Sequence, residues 1–461
     1  MMIPEHKAAT GVGRRAGLRG AVLGALAAAP VVPFASRLTG SAAAHSQVTA
    51  PAAACVDLPL VGGTEFPIGV FWPPPPYQTT VERYGEIREA GFTFLITGNY
   101  LDDQAIIKHT LATAEQVGLK VLVSSDPDVQ NMARRFTISD DRSVPMSITT
   151  ADARTLFTNA LNSYRGFDSF AGFSLGDEPS EGQIPSLGKA FTIAREQAPT
   201  YTPYSNLVPG SGGGYQTVVR KYVDTCHPPM LSFDRYPILS SGQDLQYFEN
   251  WAIIRSEALR ANIPSWVFVQ SVEYNGHRFP AQADLLWNIN TSLAYGCKGI
   301  QYFTYWQPDI ARGEGFGRAI TTLDGTHTPL YDAAKSVNTG WLRPVGAELK
   351  PLISEIAVHA NETPPSGTVG FTPDSYLSGT AGSPAVLGRF RPTDAAKTRW
   401  LLIANRQAGA SATTTVSMNQ ATVTKVSVFD PATRTYTAQA DKTKIVATLA
   451  PGAAALYRLD A

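Results

Sequence analysis

Between residues 66 and 350 the chain alternates short apolar runs with segments of helix length, eight times over. A strand buried on both faces reads as a continuous apolar run, and returning to a parallel neighbour takes a helix-sized crossover. This alternation therefore specifies a parallel α/β fold. The runs cover residues 67–72, 93–98, 120–125, 170–176, 200–206, 230–236, 265–270 and 299–306. Segments between them, such as 105–116 and 245–259, carry apolar residues at helical spacing. Eight units match a closed (β/α)8 TIM barrel, whereas a doubly wound sheet usually needs fewer. No glycine-rich phosphate loop follows the first run, so neither a dinucleotide nor any other cofactor is expected.

A barrel takes about 250 residues, and the 461 present leave room for more. Residues 56–350 are assigned to the barrel and 351–461 to a second domain. There, valine- and threonine-rich runs at 399–405, 422–429 and 445–449 alternate with Gly, Pro and Asp-Pro turns. That pattern reads as a small antiparallel β-sandwich, expected to pack against the barrel rather than to carry chemistry. Residues 1–50 read as an export signal and linker. Arg14-Arg15 precede an apolar, alanine-rich run from 21 to 35, and Ser41-Ala-Ala-Ala44 offers small residues for cleavage. The arginine pair followed by Ala-Gly-Leu resembles a twin-arginine signal, which places the mature protein outside the cytoplasm and off the membrane.

Lysine plus arginine equals aspartate plus glutamate at 38 each, which leaves no electrostatic footprint for nucleic acid. The expected partner is a neutral ligand. Cys55, Cys226 and Cys297 are too few and too widely spaced for a disulfide framework or a metal site, and no metal is expected.

The fourth run ends abruptly in Phe173-Ser-Leu-Gly-Asp-Glu-Pro179. Pro179 stops the ladder and leaves Asp177 and Glu178 where a barrel keeps its catalytic rim. The alternative is a helix start, with Asp177 as cap ahead of a helix over 183–197. Cleaving a glycosidic bond needs one carboxylic acid to protonate the leaving oxygen and a second carboxylate across the sugar. Glu178 is the natural acid, with Asp177 beside it raising its proton affinity; the reverse assignment stays open. Because adjacent strand residues point to opposite faces, both serve only if the strand has already bent.

Further carboxylates close later runs. The sixth ends Leu231-Ser-Phe-Asp-Arg-Tyr-Pro237, where Asp234 and Tyr236 share a face under strict alternation; the plainer role for Asp234 is an ion pair with a nearby arginine. The seventh ends at Gln270, followed by Glu273, His277 and Arg278. Glu273 is the expected second carboxylate. Its alternative is a solvated loop acid. The eighth runs Tyr302-Phe-Thr-Tyr-Trp306, with Trp306 expected as a platform under the sugar, Tyr305 beside it, and Tyr302 and Phe303 in the core. Asn206 completes the expected cleft lining with Tyr236, Gln270 and Arg278.

Together these motifs resemble clan A glycoside hydrolases, most nearly the family 42 β-galactosidases and their uncharacterised relatives. Gly176-Asp-Glu-Pro179, Phe233-Asp-Arg-Tyr-Pro237, Gln270-Ser, the stretch from Tyr295 to Trp306, and Thr328-Pro-Leu-Tyr331 carry the likeness. It implies a retaining glycosidase with its acid/base on the fourth strand and its nucleophile on the seventh. Two positions depart from the pattern. Asp177 stands where the clan has asparagine, and Val269 stands where family 42 places glutamate before the glutamine-serine pair. The nucleophile has therefore moved, with Glu273 next in line, or is absent. An inverting hydrolase using Asp234 and a noncatalytic carbohydrate-binding barrel are the alternatives.

Overall fold

A computed structural model describes residues 57–461; the expected export segment and Cys55 lie outside the described residues. Eight parallel strands close a barrel in chain order: β1 Ile68–Phe71, β2 Phe94–Ile96, β3 Lys120–Val123, β4 Phe170–Asp177, β5 Thr202–Leu207, β6 Leu231–Asp234, β7 Ser265–Gln270 and β8 Gly299–Phe303. β8 pairs back onto β1, with Ile68 opposite Ile300 and Phe71 opposite Phe303. All eight coincide with the apolar runs. The helices between them run close to their expected bounds, as at Gln104–Val117 and Gln246–Ala261. The first of these is fixed at both ends: Asp103 accepts from the amides of Ala105 and Ile106, and Gly118 closes it in a left-handed conformation.

Inside the ring, Phe94, Ile96, Leu122, Ala171, Tyr204, Met230, Trp266 and Phe268 fill the barrel with packed side chains. Phe71, Tyr236 and Phe303 pack onto this column while remaining half-buried. Gly172 lets β4 and β5 approach closely. A Cβ there would fall 2.0 Å from the Thr202 carbonyl oxygen, and its φ of +145° suits glycine alone.

After the barrel come nine antiparallel strands. β9 Ile353–Ala360, β11 Ala385–Arg391, β12 Arg399–Asn405, β17 Ala454–Asp460, β14 Lys425–Asp430 and β15 Thr435–Ala438 form a six-stranded sheet in that spatial order. β10 Leu377–Gly382, β13 Ala412–Met418 and β16 Lys444–Leu449 form a three-stranded one. Leu387, Leu401, Ile403, Val416, Ile445 and Leu459 make a shared core, the alternating inward residues of a sandwich. The barrel helix Gln282–Ala294 packs on the larger sheet, where Trp287 Nε1 donates to the Arg406 carbonyl at 2.9 Å and Asn290 Nδ2 to that of Gly452 at 2.9 Å. Cys226 and Cys297 are both buried free thiols. No helix of the described residues is long and apolar enough to cross a membrane.

Candidate active site

The C-terminal mouth of the barrel is shaped by how β4 ends. Its register against β5 slips between Ser174 and Gly176, a bulge that re-aims the last residues of the strand. Asp177 still sits opposite Asn206, but Glu178 turns to a positive φ of 48°, its amide held by the Asn206 carbonyl at 2.9 Å. The bend brings both carboxylates toward the opening, as the use of adjacent residues requires. The helix-cap alternative does not describe Asp177. Ser180 and Gln183 form the capping box that leads into the helix Ile184–Gln197.

Asp234, at the end of β6, lies at the bottom of this mouth and is 9% exposed. Its carboxyl lies near enough to that of Glu178 to be raised by its charge, and Asn206 Nδ2 donates to its Oδ1 at 2.7 Å. Behind Asn206 the hydrogen bonds run in one direction. Ser232 Oγ donates to Asn206 Oδ1 at 2.9 Å, which leaves Ser232 to accept from Tyr204 OH at 2.7 Å and Gln301 Nε2 at 2.9 Å. This chain fixes the Asn206 amide so that its nitrogen faces Asp234. The arginine next in sequence is not the partner of Asp234: Arg235 pairs with Asp244 at 2.7 Å.

Three carboxyls in one cleft titrate upward. Burial raises Asp234 well above the ordinary carboxylate range, the charge of Glu178 raises it further, and the Asn206 donor opposes both. Glu178 is exposed at the mouth. Desolvation raises it first and the Asp177 charge second, while Asp234 pulls it down. Asp177 is raised by desolvation against the opposing charge of Arg134. Asp234 is the most enclosed of the three.

The other expected residues fall in different places. Glu273 makes no hydrogen bond or ion pair to Glu178 or Asp234 among the described residues. Its side chain is 42% exposed, pairs with Arg318 at 3.5 Å, and lies against Gly317, where a Cβ would come within 2.8 Å of its Oε2. The loop after β7 carries Glu273 there because its amide donates to the Arg318 carbonyl and its own carbonyl accepts from the Gly317 amide. Gln270 is wholly buried and committed to backbone: its Oε1 accepts from the Ile238 amide and its Nε2 donates to the carbonyls of Ile238 and Arg278. Arg278 makes a two-pronged bond to Asp284 at 2.5 and 2.6 Å. Trp306 is 1% exposed, with the Arg83 guanidinium 5.9 Å from its ring, so it offers no free face to a sugar. Tyr305 is buried against Phe92. Tyr236 does reach the mouth, near the carboxyls that help push its phenol well up.

The aromatic wall joins Tyr236 and His277 to residues the sequence reading had not placed there. Phe303, expected in the core, is half-buried and stacks on Tyr236 at 5.1 Å and on Phe71 at 5.9 Å. Tyr274, stacked with His277 at 4.4 Å, meets Tyr236 edge-on. Arg134 was likewise not singled out. It sits on a π-helical turn, Asn131–Arg135, that follows β3, and its Nη2 donates to Ser174 Oγ, the Ser174 carbonyl and Ser124 Oγ. For Phe303, alternation with buried Tyr302 was an available signal; nothing local marked Arg134. Among the described residues no group of three or more His, Cys, Asp or Glu is arranged to hold a metal ion.

No protein-family model matches the chain, and no curated protein matches it in sequence. Among solved structures it is similar to a candidate alpha-galactosidase from Bacteroides fragilis, at a TM-score of 0.51 and 11% identity, covering 87% of this chain and 81% of that one. A protein described as a glycoside hydrolase follows at a TM-score of 0.49 and 10% identity, with 86% and 92% covered. A GH10 xylanase from Thermobacillus composti has a TM-score of 0.43 at 10% identity, with 59% and 96% covered. All three are glycosidases by description. At such identities the likeness to the first shows the barrel-with-appended-domain fold and nothing finer.

Proposed function

We propose that the protein is a glycoside hydrolase acting on a neutral carbohydrate, with Glu178 as acid/base and Asp234 as the second carboxylate. The observation that carries this reading is a buried Asp234, bonded to Asn206 Nδ2 at 2.7 Å, beside an exposed Glu178 whose charge raises it, both at the C-terminal mouth of the barrel. Asp234 keeps the Asn206 donor, which favours its charged form, while Glu178 has no side-chain donor of its own among the described residues. Glu178, on the open side where a leaving oxygen arrives, is therefore the member that donates the proton. Asp234 faces the anomeric carbon from below.

A retaining enzyme holds its carboxyls about 5–5.5 Å apart and an inverting one about 6.5–9.5 Å. Retention, which the likeness to clan A glycoside hydrolases implies, is the outcome proposed. The half-buried faces of Tyr236 and Phe303 supply the apolar surface on which a pyranose CH face stacks. Three carboxyls against one guanidinium favour a neutral sugar over a uronate. Export through the Arg14-Arg15 segment belongs to the same reading.

The test is a panel of aryl glycosides and polysaccharides with wild type, Glu178→Gln and Asp234→Asn. Glu178→Gln is expected to lose about a hundredfold or more on poor leaving groups, with activated ones partly spared, because the amide cannot donate the proton. Retention of the anomeric configuration by NMR supports Asp234 as nucleophile, and inversion refutes that role. A second reading, a noncatalytic carbohydrate-binding barrel, is favoured by Gln270, whose backbone bonds leave β7 without a carboxylate at its end. Binding without turnover in wild type and both variants selects it.

A further inference from the structure

We propose that Arg406 of the sandwich is a positioning residue for the mouth of the barrel: through Gln243 it braces the hairpin that follows β6, and so holds Tyr236 in place beyond Asp234. This rests on the reading of that mouth as the sugar site, and adds that the second domain is part of how the site is built. Arg406 follows β12 and is 8% exposed. Its guanidinium lies 4.6 Å from the Phe248 ring and 5.9 Å from the Trp287 ring, each on a barrel helix, Gln246–Ala261 and Gln282–Ala294. Glu362, just after β9, pairs with its Nε at 3.2 Å and also holds His359 Nδ1 at 2.7 Å. Two aromatic rings and an ion pair leave the planar cation little freedom to turn. Its Nη1 donates to Gln243 Oε1 at 2.9 Å.

Gln243 belongs to a short hairpin in which Ile238–Leu239 pairs antiparallel with Gly242–Gln243, directly beyond Asp234-Arg235-Tyr236-Pro237. So small a ribbon is marginal by itself, and its place is set by what anchors it. The first strand is tied to the loop after β7, with the Ser240 amide on the Gly276 carbonyl and the Arg278 amide on that of Ile238. The second strand has Arg406, the one sandwich side chain hydrogen-bonded to this hairpin among the described residues. Asp244, next to Gln243, donates its amide to the Pro237 carbonyl at 3.0 Å and accepts from Arg235 Nε at 2.7 Å. Arg235 and Pro237 flank Tyr236, so the strand that Arg406 holds is bonded on both sides of that residue. A second contact repeats the arrangement. Gly367 of the sandwich packs on Glu249, where a Cβ would fall 2.5 Å from Cγ, and Glu249 Oε1 accepts from the Gly212 amide beyond β5 at 2.9 Å. The sandwich thus reaches the segments after β5 and β6, the strands that supply Asn206 and Asp234.

The experiment follows the full-length protein by hydrogen exchange with mass spectrometry, and by the Tyr236 resonance of 13C-tyrosine protein, assigned by its loss in Tyr236→Phe. Arg406→Met keeps the apolar packing and removes the donor; amides over 238–244 are then expected to exchange about tenfold faster or more. The strands β2 and β3, across the ring, should be unchanged. Gln243→Leu cuts the same bond from the barrel side and should match it, and it decides the matter if Arg406→Met does not fold. The Tyr236 resonance should move in the same direction in both variants, with no further change in the double variant. Arg406→Lys keeps a charged donor and should return exchange and resonance toward wild type. Unchanged exchange over 238–244, an equal increase in β2 and β3, an unmoved Tyr236 resonance, or an Arg406→Lys variant that behaves like Arg406→Met each overturn the proposal. No readout depends on turnover, so a protein that cleaves no sugar still decides it.

Discussion

Asn206 Nδ2 sits 2.7 Å from Asp234 Oδ1, held in that orientation by Ser232 on its other end. One amide thus distinguishes the two carboxyls, giving the buried one a donor that Glu178 lacks. A hydrogen bond to a charged group contributes about 1.5–3 kcal/mol, and each 1.4 kcal/mol is a factor of ten. Asn206→Ala should therefore lower kcat about 10- to 100-fold on any substrate the wild type cleaves, with the far-ultraviolet circular dichroism unchanged. Steady-state kinetics on the best substrate of the panel checks this.

Glu273 and Asp234 should part company under mutation. An exposed ion pair such as Glu273–Arg318 contributes only about 0–1 kcal/mol, and neither residue touches the carboxyl pair. Glu273→Gln is expected to keep kcat within about threefold, a difference of well under 1 kcal/mol. Asp234→Asn should lose about a hundredfold or more, on the scale of removing an acid–base group. Comparable losses in both variants would return Glu273 to the catalytic pair.

The buried carboxyl also sets a pH dependence of stability. Asp234 binds its proton more tightly folded than unfolded, where its value is about 3.9. Its favourable contribution is complete below that pH and is lost as the pH rises toward the folded value, because the unfolded chain ionises first. Asp234→Asn removes this loss and keeps an acceptor for Asn206. The melting temperature of the variant relative to wild type should therefore be higher at pH 7.5 than at pH 4, by about 2 °C or more. Differential scanning calorimetry at the two pH values measures it; an equal difference at both would contradict a raised Asp234.

Export is testable apart from the enzyme. Arg14→Lys combined with Arg15→Lys should leave the protein in the cytoplasm if the twin-arginine route carries it. Fractionation with an antibody to the barrel reads the result, and unchanged export of the double variant points to the general secretory path.

Strand–helix alternation specified the barrel because a buried parallel strand has to be apolar along its length, a property written locally in each run. The same locality made the ends of β4 and β6 legible: Pro179 stops one ladder, Pro237 follows the other, and Asp177, Glu178 and Asp234 are stranded at the rim. What the sequence left open was decided by contacts between distant residues. Glu273 faces Arg318 because two backbone bonds fasten its loop there. Trp306, a surface platform by position, is packed under Arg83 from the first barrel helix, Val81–Glu89. Phe303 joins the mouth because Phe71 and Tyr236, more than 200 and about 65 residues earlier, stack on its two sides. Arg134 reaches Ser174 from forty residues away. Periodicity tells which residues are buried; which of them meet depends on how the ring closes, and that is a property of the packed barrel alone.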